Sequence, residues 1–310
     1  MPAVWWNDAL TLLALKIDVD TWRGTREGVP RLLDTLARYG ADATFLFSLG
    51  PDHTGRALRR VFRRGFLGKV SRTSVLAHYG WRTLLYGVLL PGPDISRRGT
   101  DILRRVQAAG FEVGVHAWDH VRWQDQVSQC DAVWTDAQIR RACDRFTEIF
   151  GVAPRVHGAA GWQMNPAAFR LERELGITHA SDTRGVHPFI PQLDDGSEGC
   201  VQLPTTLPTL DELIGTHGIG PGNVHTYLLD LTRVLPAAGH VYTLHAELEG
   251  QRLQPVFERL LAGWQAQGYR LVSLATLHAA LDEPRLPRCR VLQGEVPGRS
   301  GQLMTQGCLV

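Results

Sequence analysis

The sequence has little of several features that mark common protein classes. Its 310 residues include five cysteines, at positions 130, 143, 200, 289 and 308, and no pair has the Cys-x-x-Cys spacing of a zinc ribbon. Because their number is odd, they cannot form a complete set of internal disulfides, and we expect reduced thiols. The chain also lacks the basic and apolar stretches of a secretory signal, and no apolar run approaches the ~20 residues that cross a bilayer. These absences favour a cytosolic protein without a membrane span.

The chain has no large excess of positive or negative charge, since its formal net charge is +2. The charged residues are, however, unevenly distributed along the sequence. Residues 51–100 contain ten arginines and lysines against two aspartates, whereas the rest of the chain has 23 basic and 29 acidic residues. Such a basic segment predicts an anionic partner at one place on the surface: nucleic acid, a phosphorylated ligand or acidic lipid headgroups.

What the sequence does have is an alternation of short apolar runs and helical patterns. The runs, of which 12–17 and 111–116 are examples, are typical of buried strands. Seven or eight such strands, mostly separated by helices, predict an α/β fold whose parallel sheet closes into a (β/α) barrel. We expect residues 1–283 to form this domain, with 51–98 as an inserted basic amphipathic segment and the proline- and glycine-rich residues 284–310 as an irregular tail.

Two acidic residues follow the first apolar run. Asp18-Val19-Asp20 comes directly after residues 12–17. Side chains alternate along an extended strand, so Asp18 and Asp20 point the same way, and chemistry in such barrels lies at the carboxyl ends of the strands. The pair alone also fits a simple turn, because aspartate is common where a strand enters a loop.

Histidines follow two other runs. His116-Ala117-Trp118-Asp119-His120 comes after the run 111–115, and on a helical turn this spacing places both rings on one face, as two ligands of one divalent cation require. A third histidine, His245, ends the run Val241–Leu244. Each alone fits a half-buried structural histidine. Because all these residues fall at the same end of successive strands, we interpret the set as a hydrolytic metal centre.

These motifs resemble those of the polysaccharide deacetylase (NodB-homology) family. That family has an aspartate pair after its first strand, a His-x-x-x-His element and a later Leu-His element, which match Asp18-Val19-Asp20, His116 to His120 and Leu244-His245. Other similar stretches include Ala159-Ala160-Gly161-Trp162 and Ala180 to Gly185, so the resemblance spans about residues 12–280. It implies a distorted (β/α) barrel that hydrolyses an N-acyl group.

The metal centre is interpreted from this resemblance and from the residue types. Asp20, His116 and His120 would hold one divalent metal ion and leave a coordination position open. Zinc is the first expectation for two imidazoles and a carboxylate, and manganese, cobalt, iron and nickel also suit these ligands.

The remaining candidate residues would act around the metal. The resemblance implies that Asp18 is the general base, and His245 is the natural general acid, with Asp182 as the candidate that holds its ring. Trp162 and Arg184 are expected to line the substrate pocket, where an arginine suits a phosphodiester or a sugar hydroxyl.

Two features depart from the family pattern. Val19 separates the two acids, which are adjacent in the usual family motif. The stretch Arg155-Val156-His157-Gly158 lacks the proline of the family's third motif. We therefore give Arg155 no catalytic role.

The substrate that the resemblance implies is a lipid-linked formamido sugar, undecaprenyl-phosphate-linked 4-deoxy-4-formamido-L-arabinose, on the route to modified lipid A and antibiotic resistance. An enzyme for such a substrate must work at the bilayer surface. Leu58, Val61, Phe62 and Phe66 recur at helical spacing among arginines, which predicts a basic amphipathic helix on an anionic membrane. We expect a peripheral enzyme at the cytoplasmic face of the bacterial inner membrane, with no nucleic acid and no obligate protein partner.

Other interpretations of the sequence stay open. One alternative is an N-deacetylase that acts on another sugar. Another is a metal-binding barrel that has lost catalysis. From a different class, the chain would be a nucleic-acid-binding protein that uses residues 51–100. The basic helix can also be interpreted as a segment that packs over one edge of the barrel with its charged face in solvent.

Overall fold

The computed structural model describes residues 11–57, 83–236 and 238–310 of the chain. The strands in these ranges are β1 (Leu12–Val19), β2 (Thr44–Ser48), β3 (Glu112–Ala117), β4 (Val156–His157), β5 (His179–Ala180), β6 (Ile190–Gln192), β7 (Val201–Gln202), β8 (His240–His245), β9 (Arg270–Val272), β10 (Arg288–Glu295) and β11 (Gln302–Leu309). The α-helices with both ends in these ranges are α1 (Val29–Tyr39), α2 (Ile95–Ala108), α3 (His120–Gln126), α4 (Ala132–Phe150), α5 (Pro166–Glu174), α6 (Leu210–Leu213), α7 (Val224–Leu231), α8 (Gln254–Ala266) and α9 (Leu274–Ala279). A π-helical turn covers Gly24–Gly28, and single 3₁₀ turns cover Thr83–Leu85, Val127–Gln129, Ala160–Trp162 and Glu283–Arg285.

The main sheet is parallel and curved. Its strand order is β7-β5-β4-β3-β2-β1-β8, and β9 pairs with the start of β1. Beyond β7 the chain approaches the other edge, where the Thr206 amide donates to the Val241 carbonyl over 3.1 Å. The sheet is thus a distorted (β/α) barrel, and the predicted fold class is confirmed.

The two faces of β1 show how the barrel is filled. Leu13, Leu15 and Ile17 belong to the large core between the sheet and the surrounding helices. Leu12 and Ala14 belong to a second, smaller core inside the barrel, where they pack with residues of other strands such as Leu46, Val156 and Val241. The strand is buried along its whole length. Alternation therefore directs positions 12, 14, 16 and 18 into the barrel, and Asp20 follows just beyond the strand.

Glycines end the predicted helices as expected. Helix α1 stops at Gly40 and α4 at Gly151, both in the left-handed region with φ of 56° and 73°. Only glycine adopts this conformation without steric cost, so these residues fix where the chain turns back toward the sheet.

The prediction of an irregular tail is wrong for most of residues 284–310. Strands β10 and β11 form an antiparallel hairpin, and β10 pairs in parallel with β6. The turn contains Gly298 and Gly301, with φ of 85° and 81°. Most residues of both strands are exposed or half-buried, and the strands lack the alternation of apolar residues by which a strand is recognised in a sequence.

Most of the predicted basic helix, including Leu58, Val61, Phe62 and Phe66, lies outside the described residues. The described residues resume at Thr83, and in the turn that follows Val88, Leu89 and Leu90 are exposed. No helix among the described residues is long and apolar enough to cross a membrane. The five cysteines all lie in the described ranges and none is paired with another.

Candidate active site

A cleft with a volume of about 260 Å³ opens at the carboxyl ends of β1, β3 and β8. Among the described residues, its lining combines acidic, imidazole and basic side chains with a few apolar ones: Asp18, Asp20, Ala57, His116, His120, Gln124, Gly161, Trp162, Asp211, His245, Leu248, Arg299 and Ser300. The acids of β1 and the predicted histidines thus face one space.

Three of these residues form what we call the open cluster: Asp20, His116 and His120. One oxygen or nitrogen of each lies within 4.8 Å of the others. The Asp20 Oδ1 atom is 3.2 Å from His116 Nε2, and Asp20 Oδ2 is 3.5 Å from His120 Nε2. The side chains of Asp20 and His120 are 10% and 20% exposed, so the cluster is reached from the cleft.

The two imidazoles meet in a different way from the one predicted. They do not share a helical turn: His116 is on β3, and His120 is the first residue of α3. Their ring centroids are 5.3 Å apart because the chain turns sharply between the strand and the helix, where Asp119 caps α3 by accepting from the Arg122 amide. The spacing of four is therefore set by a strand-to-helix turn.

The hydrogen bonding of the open cluster suits a cation. His116 Nδ1 donates to the Gly158 carbonyl over 2.5 Å, which leaves the lone pair of Nε2 directed at Asp20. Asp20 Oδ1 is buried and has no hydrogen-bond partner. An imidazole lone pair and a carboxylate oxygen 3.2 Å apart repel each other unless a cation or a proton lies between them. The donor set, one carboxylate and two imidazoles, is that of a catalytic zinc site.

The charge of Asp20 is favoured by its neighbours. Burial alone would raise the pKa of Asp20, but His120 beside it holds that pKa far below its usual range. Asp20 is therefore an anion at neutral pH, as a metal ligand must be.

A buried carboxyl group from the far end of the chain holds the Asp20 loop. Glu247 Oε1 accepts from the amides of Asp20 and Thr21 at 3.1 and 2.8 Å. Gly24 and Gly28 permit this contact, because a Cβ on Gly24 would lie 1.9 Å from Glu247 Oε1 and one on Gly28 would lie 2.0 Å from the Ala246 carbonyl oxygen. The glycines after the aspartate pair thus serve close packing of two distant loops.

Asp18 lies deeper in the cleft than Asp20. Its side chain is 5% exposed, and Oδ1 is 3.8 Å from His116 Nδ1. Oδ1 has no hydrogen-bond partner, whereas Oδ2 lies 3.4 Å from the ammonium of Lys16. A carboxylate with one free oxygen beside the open cluster is placed to accept a proton.

His245, at the end of β8, faces the cleft among carboxylates. Burial alone would lower its pKa, but Asp211, Asp20 and Asp18 raise that pKa above its ordinary value. Its Nδ1 atom has no hydrogen-bond partner. Asp182, the residue predicted to hold this ring, lies elsewhere, and the prediction is wrong on that point. Asp211 is the acid that exerts the largest effect on His245.

Asp182 belongs to what we call the buried cluster, with His157 and Glu172. His157 Nδ1 donates to Asp182 Oδ1 over 2.9 Å and lies 2.5 Å from Glu172 Oε1. Asp182 also accepts from the Ala159 amide and from Gln202. The side chains are 0 to 4% exposed, so Asp182 is not available to a substrate.

Trp162 and Arg184, predicted to line the pocket, differ in access. Trp162 borders the cleft but is 2% exposed, and Arg299 lies over its ring at 4.8 Å. Arg184 lies on Trp162 at 4.9 Å, is buried, and pairs with Glu212 over 2.5 Å. It is therefore absent from the cleft lining, because its guanidinium is engaged behind the tryptophan. Arg155, to which we give no catalytic role, is exposed immediately before β4.

Sequence reasoning missed three residues at or below the cleft: Lys16, Asp211 and Arg299. Lys16 had a signal, since a single basic residue interrupts an apolar strand two positions before Asp18. Asp211 and Arg299 had none. They reach the cleft only because α6 and the turn of the hairpin pack against it, and Arg299 pairs there with Asp211 over 3.2 Å.

The sequence of this chain is similar to those of a known family and of named relatives. Residues 12–180 match the family described as polysaccharide deacetylase. Two curated relatives bear the name "Probable 4-deoxy-4-formamido-L-arabinose-phosphoundecaprenol deformylase ArnD". The relative from Shewanella sediminis is 35% identical over 97% of this chain and 96% of its own length, and the relative from Wigglesworthia glossinidia brevipalpis is 30% identical over 91% and 98%.

Solved structures show the same fold at lower identity. A Mycobacterium smegmatis protein assigned as a polysaccharide deacetylase superposes with a TM-score of 0.65, 19% identity and coverage of 96% of this chain and 99% of its own. A probable polysaccharide deacetylase from Pseudomonas aeruginosa PAO1 gives 0.61 and 16%, covering 87% and 90%. These likenesses confirm the barrel architecture.

Proposed function

Because the chain belongs to the polysaccharide deacetylase family and is a hydrolase of amide C–N bonds, we propose that it removes the formyl group from a lipid-linked amino sugar. The proposed substrate is undecaprenyl-phosphate-linked 4-deoxy-4-formamido-L-arabinose, and the products are formate and the free amino sugar for lipid A modification. The observation that carries the proposal is the open cluster, with Asp18 and His245 beside it, in a chain similar over almost its whole length to two relatives named for this reaction.

We propose Asp20, His116 and His120 as the ligands of one divalent metal ion. The unpartnered Asp20 Oδ1 and the lone pair that His116 Nε2 directs toward it support this set. When bound, the ion would acidify a water molecule and polarise the acyl carbonyl. Zinc is the first choice for these ligands, and manganese, cobalt, iron and nickel are the alternatives.

Asp18 and His245 would carry out the two proton transfers of the reaction. The free Oδ1 of Asp18 would take a proton from the attacking water, since it borders the open cluster without a competing hydrogen bond. His245, whose pKa its acidic neighbours raise, would give a proton to the departing amine. Trp162 and Arg299 would form the wall against which the sugar binds.

The place of action follows from the lipid carrier. A polyprenyl-linked sugar stays in the bilayer, so the enzyme would work at the cytoplasmic face of the inner membrane as a peripheral protein. The basic segment 51–98 would attract anionic headgroups at about 1 kcal/mol per basic residue near the surface. The exposed turn Val88–Leu90 adds apolar side chains at its described end.

The direct test is an assay of released acid. Metal-loaded protein is incubated with formylated and acetylated forms of the polyprenyl-phosphate sugar, with Asp18→Asn protein as the matched control. We expect formate from the wild type and none from the variant. Release of acetate alone would favour the deacetylase alternative, and release of neither acid would overturn the proposal.

Membrane association is tested separately by co-sedimentation with vesicles. Leu89→Asp should reduce binding to anionic vesicles, whereas Val133→Asp, at an equally apolar exposed position on α4, should leave it unchanged. Equal partition of the wild type to neutral and anionic vesicles would contradict the peripheral location.

A further inference from the structure

Lys16 is a buried cation at the centre of the barrel. It lies on β1, its side chain is 0% exposed, and it is one of only two lysines in a chain with 33 basic residues. Alternation along β1 places it directly below Asp18, on the same face. A charged side chain is rarely placed at such depth unless specific partners compensate for the lost hydration.

The barrel provides a passage for this side chain. A Cβ on Gly158 would lie 2.9 Å from Lys16 Cε and 2.3 Å from Leu46 Cδ1. Glycine at position 158 therefore leaves the space through which the lysine extends toward the cleft. The same glycine supplies the carbonyl that accepts from His116. The path of Lys16 and the orientation of His116 are thus fixed by one residue.

The ammonium group has three partners around it. Nζ donates to the Ser181 carbonyl over 3.0 Å, lies 3.4 Å from Asp18 Oδ2, and is 5.2 Å from the centre of the Trp162 ring. A backbone oxygen, a carboxylate and an aromatic face all attract a cation. Nζ is therefore held in one place, and its position determines what Asp18 can do.

We infer that Lys16 is a positioning residue, which holds Oδ2 of Asp18 from below and thereby keeps Oδ1 directed at the nucleophilic water. This inference rests on the proposed role of Asp18 as general base. The division between the two carboxylate oxygens supports it, since Oδ2 faces Lys16 while Oδ1 is buried without a hydrogen-bond partner. Without the cation, the carboxylate would be free to rotate, and the fraction of time in the productive orientation would fall.

The test compares Lys16→Met, which keeps the length of the side chain without its charge, with the wild type. The formate-release assay on the formylated polyprenyl-phosphate sugar gives kcat and KM, and metal content and thermal unfolding are measured on the same preparations. We expect kcat to fall at least tenfold, KM to change less than about twofold, and metal content to stay at the wild-type level. Lys16→Arg, which retains a cation, should recover part of the lost kcat.

A purely structural lysine would give another pattern. It would lower the melting temperature and leave the kcat of the remaining folded protein unchanged, and that result would overturn the inference. If Lys16→Met does not fold, the double variant Lys16→Met/Asp18→Asn removes both charges of the pair. Recovery of a folded double variant supports the pairing, and failure of both variants to fold overturns it.

The outcome also separates this inference from the proposed function. Full activity of Asp18→Asn would remove the general base, and with it the basis for Lys16. An inactive Asp18→Asn together with a fully active Lys16→Met would leave the proposed function intact and refute the positioning role alone.

Discussion

The open cluster and the buried cluster use the same kinds of side chain, yet they differ in what they can bind. Each has carboxylates and imidazoles whose oxygen and nitrogen atoms lie within 4.8 Å of one another. In the buried cluster, His157 lies between Asp182 and Glu172, and Gln202 and the Ala159 amide also donate to Asp182. Glu172 Oε1 beside His157 and Asp20 Oδ1 beside His116 are both buried without a hydrogen-bond partner, but the Nδ1 proton of His157 faces the acids, whereas the proton of His116 faces the Gly158 carbonyl.

The difference shows that proximity of ligand-type atoms does not by itself make a metal site. His157 places a proton donor among the acids of its cluster, and both oxygens of Asp182 accept hydrogen bonds without a metal ion. His116 donates its only proton away from Asp20, to Gly158, so its cluster is not complete. The two are also connected, because Asp182 holds the Ala159 amide next to Gly158. The buried cluster thus supports the loop that orients His116.

The largest expected effect is the loss of metal from the open cluster alone. His116→Ala should lose bound metal and reduce activity by roughly three orders of magnitude, because a metal ion contributes several kcal/mol of transition-state stabilisation. Glu172→Gln is the matched control in the buried cluster and should retain one equivalent of metal. Metal content by mass spectrometry checks both. If Glu172→Gln lost its metal and His116→Ala retained it, the metal would bind the buried cluster and the assignment to the open cluster would be wrong.

A second effect separates proton transfer from metal binding within the cleft. Asp18→Asn should reduce kcat by about 10³-fold, within the range for loss of a general base, while metal content stays near that of the wild type. The amide keeps the shape of the carboxylate but cannot accept the proton. A variant that is fully active would refute the base assignment, and one that is free of metal would make Asp18 a ligand.

A smaller loss of activity is expected on the acid side. His245→Gln should lower kcat by about 10²-fold, and Asp211→Asn by less, because Asp211 raises the pKa of His245 but is not itself the proposed acid. The comparison with Asp182→Asn is informative, since that residue was predicted to hold His245 and lies in the buried cluster instead. Its substitution should destabilise the fold. If Asp182→Asn folds normally and loses as much activity as His245→Gln, the revised assignment fails.

The smallest expected effect is on how the free energy of unfolding depends on pH, and it tests the buried cluster. Burial would lower the pKa of His157, but Asp182 and Glu172 raise it to about 10 from an ordinary 6.5. The folded protein therefore holds a proton that the unfolded chain releases, and the resulting stability is complete below pH 6.5 and lost as the pH rises toward 10. His157 alone should lower the free energy of unfolding by up to about 1.4 kcal/mol per pH unit in this window, and Glu172, whose pKa burial raises to about 8, adds to the slope below that pH.

Chemical denaturation between pH 7 and 10 measures this slope. It should be shallower in His157→Gln than in the wild type. His278→Gln is the control, because burial lowers the pKa of His278 and its loss should leave the alkaline slope unchanged. An unchanged slope in His157→Gln would show that the buried imidazole is not charged.

Much of the fold and the centre of the site could be predicted from the sequence. Apolar runs ended by Asp18 and His245 place these side chains at the carboxyl ends of neighbouring parallel strands, so their convergence on one cleft follows from topology. The clustering of Asp20, His116 and His120 agrees with that expectation, although their binding of a metal stays a prediction.

The rest depends on packing that no local pattern encodes. Asp182 and Arg184 look like site residues because they lie in a motif, yet their side chains point behind the cleft to His157 and Glu212. Arg299 looks like a residue of an irregular tail, yet the hairpin carries it over Trp162. Long-range contacts of this kind are set by how the loops pack, and alternation and spacing say nothing about them.

The hairpin β10–β11 has a consequence for how new specificities arise on this scaffold. The chemistry resides in side chains anchored to the inner strands, whereas Arg299 and Ser300 on the facing wall come from a turn that the inner strands do not constrain. Substitutions at Ser300 can reshape that wall without touching the reacting groups, whereas substitutions at Arg299 also reach His245 through Asp211. One residue of the turn can therefore alter what the cleft admits, and its neighbour can alter the acid side of the site as well.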